Sequence, residues 1–415
     1  MNMRNRMAKA WGATLLVVTM LAGTSVLAGE IEVFDGPGRL SAVQAMPGGF
    51  FLAAGEALVM PDNAEPGDEP HLEGLAALVN TEGQVLWART YGGDGRDSFS
   101  AVASAADGGA FLVGMSESFG QGGADAWIVR VGARGEQLWQ QHVGGVDDDF
   151  ASGVVALDDG GCLVAMSKAG ERGPEIRLVR LDGKGGEIWS GPGEIMPQGV
   201  PGPLYHLPPA AGVDGVPRPG GFVLAGTSFV RQGGTQPFAL YFDPAFRPLD
   251  MPIPSSEGSA MTLSVIGSAL LAAWSEGSSA GPVRAGAARI TADGVSRFDL
   301  VLDGRDTDAF GVARAKPGPT VIGLNVATKD GDMVRIQPLV DPHQPRVERY
   351  ATMLDLPGRR GQALLVSGRT LVLAGALQNL REERPWLMLV SLDEFDGESL
   401  GLNAMPNTDM ARMCE

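Results

Sequence analysis

A pair of glycines followed by a short apolar run recurs along this chain, and that recurrence constrains its fold more than any other feature. The pair stands at Gly48-Gly49-Phe50, Gly108-Gly109-Ala110, Gly160-Gly161-Cys162 and Gly220-Gly221-Phe222. Degenerate copies occupy Gly267-Ser268-Ala269, Gly318-Pro319-Thr320 and Gly368-Arg369-Thr370. The second positions lie 60, 52, 60, 47, 51 and 50 residues apart, so seven units fill nearly all of the 415 residues. A fixed period of this size marks a supersecondary unit that buries its apolar face against its neighbours. The chain holds 60 glycines, about twice the ordinary share. Each glycine inside a helix costs about 1 kcal/mol relative to alanine, which argues against long helices.

Other features keep phase with the glycine pair. A small-residue stretch precedes it, as in Ser100 to Ala105, Ala151 to Ala156 and Gly311 to Ala315. An apolar strand follows, as in Phe111-Leu112-Val113-Gly114, then a third, as in Ala126-Trp127-Ile128-Val129-Arg130-Val131. A glycine-containing turn leads to a fourth strand with a large aromatic residue: Trp87, Trp139, Trp189 and, in the fifth unit, Phe298. Four short strands repeated seven times predict an all-β fold: a single β-propeller of seven blades, each of four antiparallel strands. Six or eight blades are the neighbouring alternatives, and a β-solenoid is the rival architecture. Small residues suit the crowded strand at the axis, and tryptophans suit the widening space outside. Ile31-Glu32-Val33-Phe34 reads as a fourth strand displaced to the start of the chain. It is expected to close the ring beside Trp386–Leu392, leaving no open sheet edge.

The clearest unit runs Asp125-Ala126-Trp127-Ile128-Val129-Arg130-Val131, Gly135-Glu136-Gln137-Leu138-Trp139, Gly144-Gly145, Asp159-Gly160-Gly161. It resembles the repeat of secreted bacterial β-propeller proteins, in which a DAWxVxL strand leads to GxxxW, a GG turn and DGG. The resemblance is good over 75–165, fair to about 190 and weak after 250. It implies a propeller outside the cytoplasm and carries over no catalytic residue. The tryptophan-bearing strands are also similar to those of quinoprotein propellers, but no adjacent cysteine pair accompanies them.

Residues 1–28 read as a secretory signal. Arg4, Arg6 and Lys9 precede an apolar run from Trp11 to Leu27, and Val26-Leu27-Ala28 offers a small-residue cleavage site. An uncleaved membrane anchor is the competing reading. The propeller is then expected over 29–405 and a tail over 406–415, in the periplasm or secreted. The formal net charge is −17, and the signal holds three of the positive charges, so the mature chain would carry −20. Such a surface repels nucleic acid and anionic lipid. Cys162 and Cys414 are too few for a disulfide framework; Cys162 lies in an apolar run and reads as a buried thiol.

Candidate polar sites fall in the turns between units. Gly93-Asp94-Gly95-Arg96-Asp97, Asp147-Asp148-Asp149 and Asp306-Thr307-Asp308 repeat in phase. Oxygen-rich loops of this kind could hold calcium. The competing role is structural, with each carboxylate accepting turn N–H groups. No cofactor is otherwise implied, and four scattered histidines give no zinc spacing. The long acidic segment from Met60 to Gly74, with Asp62, Glu65, Asp68, Glu69 and His71, is expected to share a face with these turns. That face is then the default ligand surface. The Pro-rich stretch Pro197–Pro219 reads as an irregular insertion. The functional expectation is a monomeric, non-enzymatic binding or scaffold module for a protein, peptide or glycan. The alternative is a polysaccharide hydrolase or lyase with an axial pocket.

Overall fold

The computed structural model describes residues 14–19, 25–61, 64–171, 173–191, 196–207, 210–211, 217–218, 220–229, 234–249, 258–266, 269–277, 282–291, 294–298, 300, 306–314, 320–329, 331–339, 354–378 and 382–392. Its sheets are seven blades around an axis. Taken from the axis outward, blade 1 is Gly38–Met46, Phe50–Val59, His71–Val79 and Val85–Tyr91. Blade 2 is Asp97–Ser104, Ala110–Ser116, Asp125–Val131 and Gln137–Val143. Blade 3 is Phe150–Ala156, Cys162–Lys168, Glu175–Leu181 and Glu187–Gly191. Blade 4 is Gly199–Leu207, Gly221–Phe229, Thr235–Phe242 and Pro248–Leu249. Blade 5 is Gly258–Ile266, Ala269–Glu276, Arg284–Thr291 and Gly294–Arg297. Blade 6 is Thr307–Arg314, Thr320–Thr328, Gly331–Pro338 and Leu354–Pro357. Blade 7 is Arg359–Ser367, Thr370–Gln378, Glu383–Ser391 and, from the start of the chain, Ser25–Ile31. Each innermost strand touches the next around the ring, and that of blade 7 touches that of blade 1.

The closing strand differs in register from the expectation. Ala28–Ile31 pairs with Leu387–Val390, so of Ile31–Phe34 only Ile31 joins the sheet. Val33 is buried with Ile31 between blades 7 and 1, and Phe34 packs beside them. The apolar character of that tetrapeptide therefore serves the interface between blades rather than strand pairing. Thr14–Thr19 adds a fifth strand outside Ser25–Glu30. Residues 406–415 and Cys414 lie outside the described residues; Cys162 is a free, buried thiol.

The core is a set of seven hydrophobic clusters, one at each junction between successive blades. The outer tryptophans complete the first junctions. Trp87 Nε1 donates to Ala133 O of blade 2 at 3.2 Å, and Trp139 Nε1 donates to Gly183 O of blade 3 at 3.0 Å. Tyr91 OH donates to Gly135 O at 2.7 Å. Gly135 and Gly185 take positive φ in the receiving turns, and a Cβ there would lie 2.9 and 3.1 Å from the incoming indole. Glycine is thus required both by the turn and by the neighbouring ring. In blade 5 Phe298 follows the outermost strand and packs against the junction with blade 6.

The turn aspartates of the Asp-Gly-Gly motif are clipped to the third strand. Asp107 accepts both Gly109 N at 3.0 Å and Arg130 Nη2, the latter through its two oxygens at 2.7 and 2.6 Å. Asp159 repeats the arrangement with Gly161 N at 3.0 Å and Arg180 Nη2 at 2.5 Å.

The Pro-rich segment is less irregular than expected. Gly199–Leu207 is the innermost strand of blade 4, with Pro201 and Pro203 inside it. An innermost strand is a sheet edge, where a missing N–H on the axial side breaks no ladder. The insertion proper is the two-stranded hairpin Ala210–Ala211 with Pro217–Arg218. It joins the innermost strand to the second, so it lies at the opposite end of the axis from the Met60–Pro70 loop.

Candidate functional site

Every innermost strand carries one extra residue at the same height. The register with the second strand slips between Leu40 and Ala42, Phe99 and Ala101, and Ala151 and Gly153. It slips again between Pro201 and Leu204, Ser259 and Thr262, Ala309 and Gly311, and Gly361 and Ala363. A bulge bends its strand and re-aims a side chain; seven at one height form a ring. The extra residues are Ser41, Ser100 and Ser152 in blades 1 to 3, and Phe310 and Gln362 in blades 6 and 7. Gly202–Pro203 and Ala260–Met261 carry the bulge in blades 4 and 5.

In four blades a glycine stands opposite the slip, whereas blades 3 and 6 have Met166 and Leu324 there. A Cβ on Gly55, Gly114 or Gly375 would lie 2.0 Å from the carbonyl oxygen of Arg39, Ser98 or Arg360, just ahead of the bulge. Gly226 is similar, with Val200 O at 2.6 Å. These glycines close the apolar run of the second strand, as in Phe111-Leu112-Val113-Gly114.

Inside the ring lies a cavity of about 730 Å³, lined by all seven innermost strands. Its lining is mostly small and neutral, with Ser41, Gln44, Ser100, Ser104, Ser152, Thr227 and Gln362 among the polar groups. Among the described residues of the lining, only Asp308 carries a carboxylate and only Arg360 a guanidinium. Asp308 Oδ2 accepts from Asn325 Nδ2 at 3.2 Å. Asn325 is itself fixed, donating to Gly361 O at 3.0 Å and accepting from Gly361 N at 2.7 Å. Arg360 Nη1 lies 3.3 Å from Asp332 Oδ2, which also accepts from Gln378 Nε2 at 3.2 Å. Tyr205 is half-buried, its hydroxyl accepts from Leu263 N at 3.3 Å, and its removal from water pushes its pKa upward.

The turn aspartates between blades are engaged in holding loops together. Asp97 is fully buried; its Oδ2 accepts from Gly93 N at 2.9 Å and from Ser118 Oγ at 2.6 Å. Asp148 accepts from Ala124 N, Asp149 from Ala169 N and Asp306 from Val283 N, at 3.0, 3.0 and 3.1 Å. Each of these bonds ties a loop between blades to the loop between the second and third strands of a neighbouring sheet. Burial raises the pKa of Asp97 and of Asp149. Asp94 and Asp147 are exposed. Among the described residues no three His, Cys, Asp or Glu side chains converge to hold a metal ion.

The acidic segment behaves in two parts. Glu65, Asp68 and Glu69 are exposed in the loop between the second and third strands of blade 1, where Glu65 N donates to Asp68 Oδ2 at 2.7 Å. That loop shares an end of the axis with the turns between blades, since both sit where innermost strands begin. His71 instead belongs to the third strand and is half-buried, with its Nε2 3.3 Å from Glu73 Oε1. Asp62 lies outside the described residues. The bulge ring was missed by sequence reasoning, although a glycine closing the second strand marks it in blades 1, 2, 4 and 7.

No family model matches the chain, and no curated protein matches it by sequence. Several solved structures do resemble it in shape. A protein of unknown function from Dyadobacter fermentans DSM 18053 has a TM-score of 0.47 at 9% identity, over 92% of this chain and 99% of that one. The polysaccharide lyase Uly1 has a TM-score of 0.48 at 9% identity, over 85% and 90%. The β-propeller domain of the Trilobed protease from Pyrococcus furiosus has a TM-score of 0.44 at 7% identity, over 88% and 98%.

Proposed function

We propose that this chain is an exported, non-catalytic binding or scaffold module that receives a protein, peptide or glycan at the mouth of its axis. One observation carries the reading: seven bulges surround a single cavity of about 730 Å³, within the size range of ligand pockets, and four of them bring in the neutral hydrogen-bonding side chains Ser41, Ser100, Ser152 and Gln362. Its chemistry favours holding over reacting. Glycoside hydrolysis ordinarily uses two carboxylates about 5–9.5 Å apart, and Asp308 is alone in the lining. A lyase would need a base close to the group that neutralises the substrate acid. Of the lining groups, His206 stands six residues beyond Val200, the ring equivalent of Arg360. One of the six is the bulge's extra residue, so the paired strand spans five, and at about 3.3 Å per residue that is roughly 17 Å along the axis.

Export rests on the leader-like segment. Cleavage after Ala28 would leave Gly29, Glu30 and Ile31 paired with Leu389, Met388 and Leu387. Glu30 would keep its 2.8 Å ion pair with Arg359. The ring therefore has closing contacts that survive removal of the segment.

The test compares the wild-type chain with Ser100→Trp, which fills the ring from blade 2. Both are applied to glycan arrays and to an envelope fraction. Ligands retained by the wild type and lost by the variant support the reading. Equal retention by both, or new reducing ends released only by the wild type, overturns it.

A further inference from the structure

The register position one residue ahead of the buried core residue of each innermost strand forms a second ring, just outside the bulges. Cross-strand pairing makes the positions equivalent: Arg39 faces Glu56, Ser98 faces Met115, Phe150 faces Ser167, Val200 faces Thr227, Asp308 faces Asn325 and Arg360 faces Ala376. The ring is divided. Blades 6, 7 and 1 supply Asp308, Arg360 and Arg39, whereas blades 3 and 4 supply the exposed apolar side chains of Phe150 and Val200.

The charged arc sets three guanidinium groups, Arg39, Arg96 and Arg360, against the carboxylates of Glu56, Asp332 and Asp308, and its arginines keep part of their surface open. Glu56 is nearly buried and serves two arginines, Arg39 at 3.0 Å and Arg96 at 3.8 Å. Arg360 has the 3.3 Å pairing with Asp332. The three arginine side chains are each between 40% and 47% exposed. This gathering stands out in a chain whose formal charge is −17. A guanidinium offers paired donors that match a carboxylate. Asp308 offers only acceptors when ionised, and the serines of the bulge ring offer both donors and acceptors.

We propose that the mouth binds an oligosaccharide bearing uronate carboxylates; this rests on the axial-mouth reading given above. The carboxylate meets Arg360 and Arg39, with Arg96 behind them. A sugar hydroxyl donates to Asp308, further hydroxyls bond to Ser41 and Gln362, and the apolar face of a pyranose ring lies on Phe150 and Val200. A pyranose has this combination of an apolar face and a hydroxyl-bearing edge. A plain anion has no use for the apolar arc, and a neutral glycan has none for the arginines.

The experiment is calorimetric titration of the full chain with three probes: oligogalacturonate tetramers, their methyl esters, and neutral galactose tetramers. The variants are Arg360→Gln, Arg39→Gln, Phe150→Ser and Ser100→Trp, each checked for a wild-type urea midpoint. The expected result is binding of the acidic tetramer, weakened at least tenfold by methyl esterification, by either arginine substitution and by Phe150→Ser. A second probe set, alginate tetramers, should bind within tenfold of the galacturonate if the carboxylate is what is read. Failure of both acidic sets overturns the uronate proposal. If a neutral glycan or a peptide then binds and Ser100→Trp blocks it, the axial-mouth reading stands without it. If every ligand found for the chain is held equally by Ser100→Trp, both fall.

Discussion

The two Asp-Arg clips offer a controlled comparison, because blades 2 and 3 use the same turn and differ in the burial of the arginine. Asp107→Ala removes two charge-assisted bonds to Arg130, whose side chain is 6% exposed, while leaving its Nη1 the carbonyls of Ala110 and Val131. A hydrogen bond to a charged group contributes about 1.5–3 kcal/mol, and stranding a buried charge costs 3–5. The remaining carbonyls and the exposure of Asp107 place the loss at about 2–3 kcal/mol. Asp159→Ala frees Arg180, which is 31% exposed and can turn to water; the pair is then worth about 0.5–1 kcal/mol. Loss of the bond to Gly109 N or Gly161 N is common to both and cancels. Asp107→Ala should therefore exceed Asp159→Ala by about 1.5 kcal/mol. The causes of the lowered pKa values agree: the Arg130 bond dominates for Asp107, and the Gly161 backbone N–H for Asp159. The assay is urea unfolding followed by tryptophan fluorescence, with a double-mutant cycle through Arg130→Met and Arg180→Met. Both folded pKa values lie below the unfolded value near 3.9. The stabilisation is whole above that pH and is lost as pH falls through the folded value. The gap between wild type and Asp107→Ala should accordingly close below about pH 4. Equal losses for the two aspartates, or a gap that widens in acid, would refute the reasoning.

Gly114→Ala drives a Cβ to 2.0 Å from Ser98 O and should cost more than about 3 kcal/mol, since backbone must move. Gly145→Ala, where nothing lies within 4 Å, should stay within about 0.5 kcal/mol; comparable urea midpoints for the two would contradict the bulge argument. Tyr91→Phe removes the bond to Gly135 O and nothing else, so unfolding should show a loss of about 1 kcal/mol, and a neutral result would count against that bond. Burial pushes the Cys162 thiol up to about 12, so in a Cys414→Ser chain it should resist an aromatic disulfide reagent at pH 8 until urea unfolds the protein. Because the turn aspartates already accept backbone N–H groups, millimolar calcium and chelator should give the same melting temperature; a rise with calcium would restore a metal role for them.

The architecture was legible because its determinants are local and repeated. Asp-Gly-Gly marks a turn by composition alone, and the tryptophans near the end of each unit kept phase with it over blades 1 to 3. The closing strand was misplaced by a few residues because apolar alternation does not separate a paired strand from a loop packed on the core. Ile31 and Val33 are both buried, and only Ile31 is in the sheet. Pro201 and Pro203 suggested an insertion because proline interrupts a central strand; a strand bordering the axis has one unpaired side. The site was harder to read. Asp94, Asp97, Asp147, Asp148, Asp149, Asp306 and Asp308 caught attention by their charge, yet only Asp308 lines the cavity. Asp97, Asp148, Asp149 and Asp306 make bonds that cross between loops distant in sequence, and Asp94 and Asp147 are exposed.

A bulge leaves its mark on the partner strand rather than on itself. The residue added to the innermost strand is unconstrained by the ladder, so it can be Ser41, Phe310 or Gln362. Opposite the approaching carbonyl stands glycine at 55, 114, 226 and 375, whereas Met166 and Leu324 hold the equivalent places in blades 3 and 6. In those four blades the glycine announces where the variable residue is aimed. This division lets one repeat build a ring of constant backbone shape with a lining that differs from blade to blade. Seven equivalent positions then need not share one chemistry. In the paired ring just outside the bulges, arginine gathers on blades 7 and 1 and apolar surface on blades 3 and 4 without any change in the blades that carry them. A symmetric ring would present the same group to every side of a ligand; a divided one fixes the ligand's orientation. Moving Phe150 to blade 1 and Arg39 to blade 3 (Arg39→Phe with Phe150→Arg) should preserve the fold while weakening any ligand that the native arrangement orients. If the exchanged chain binds as well as the original, the division of the ring has no bearing on recognition.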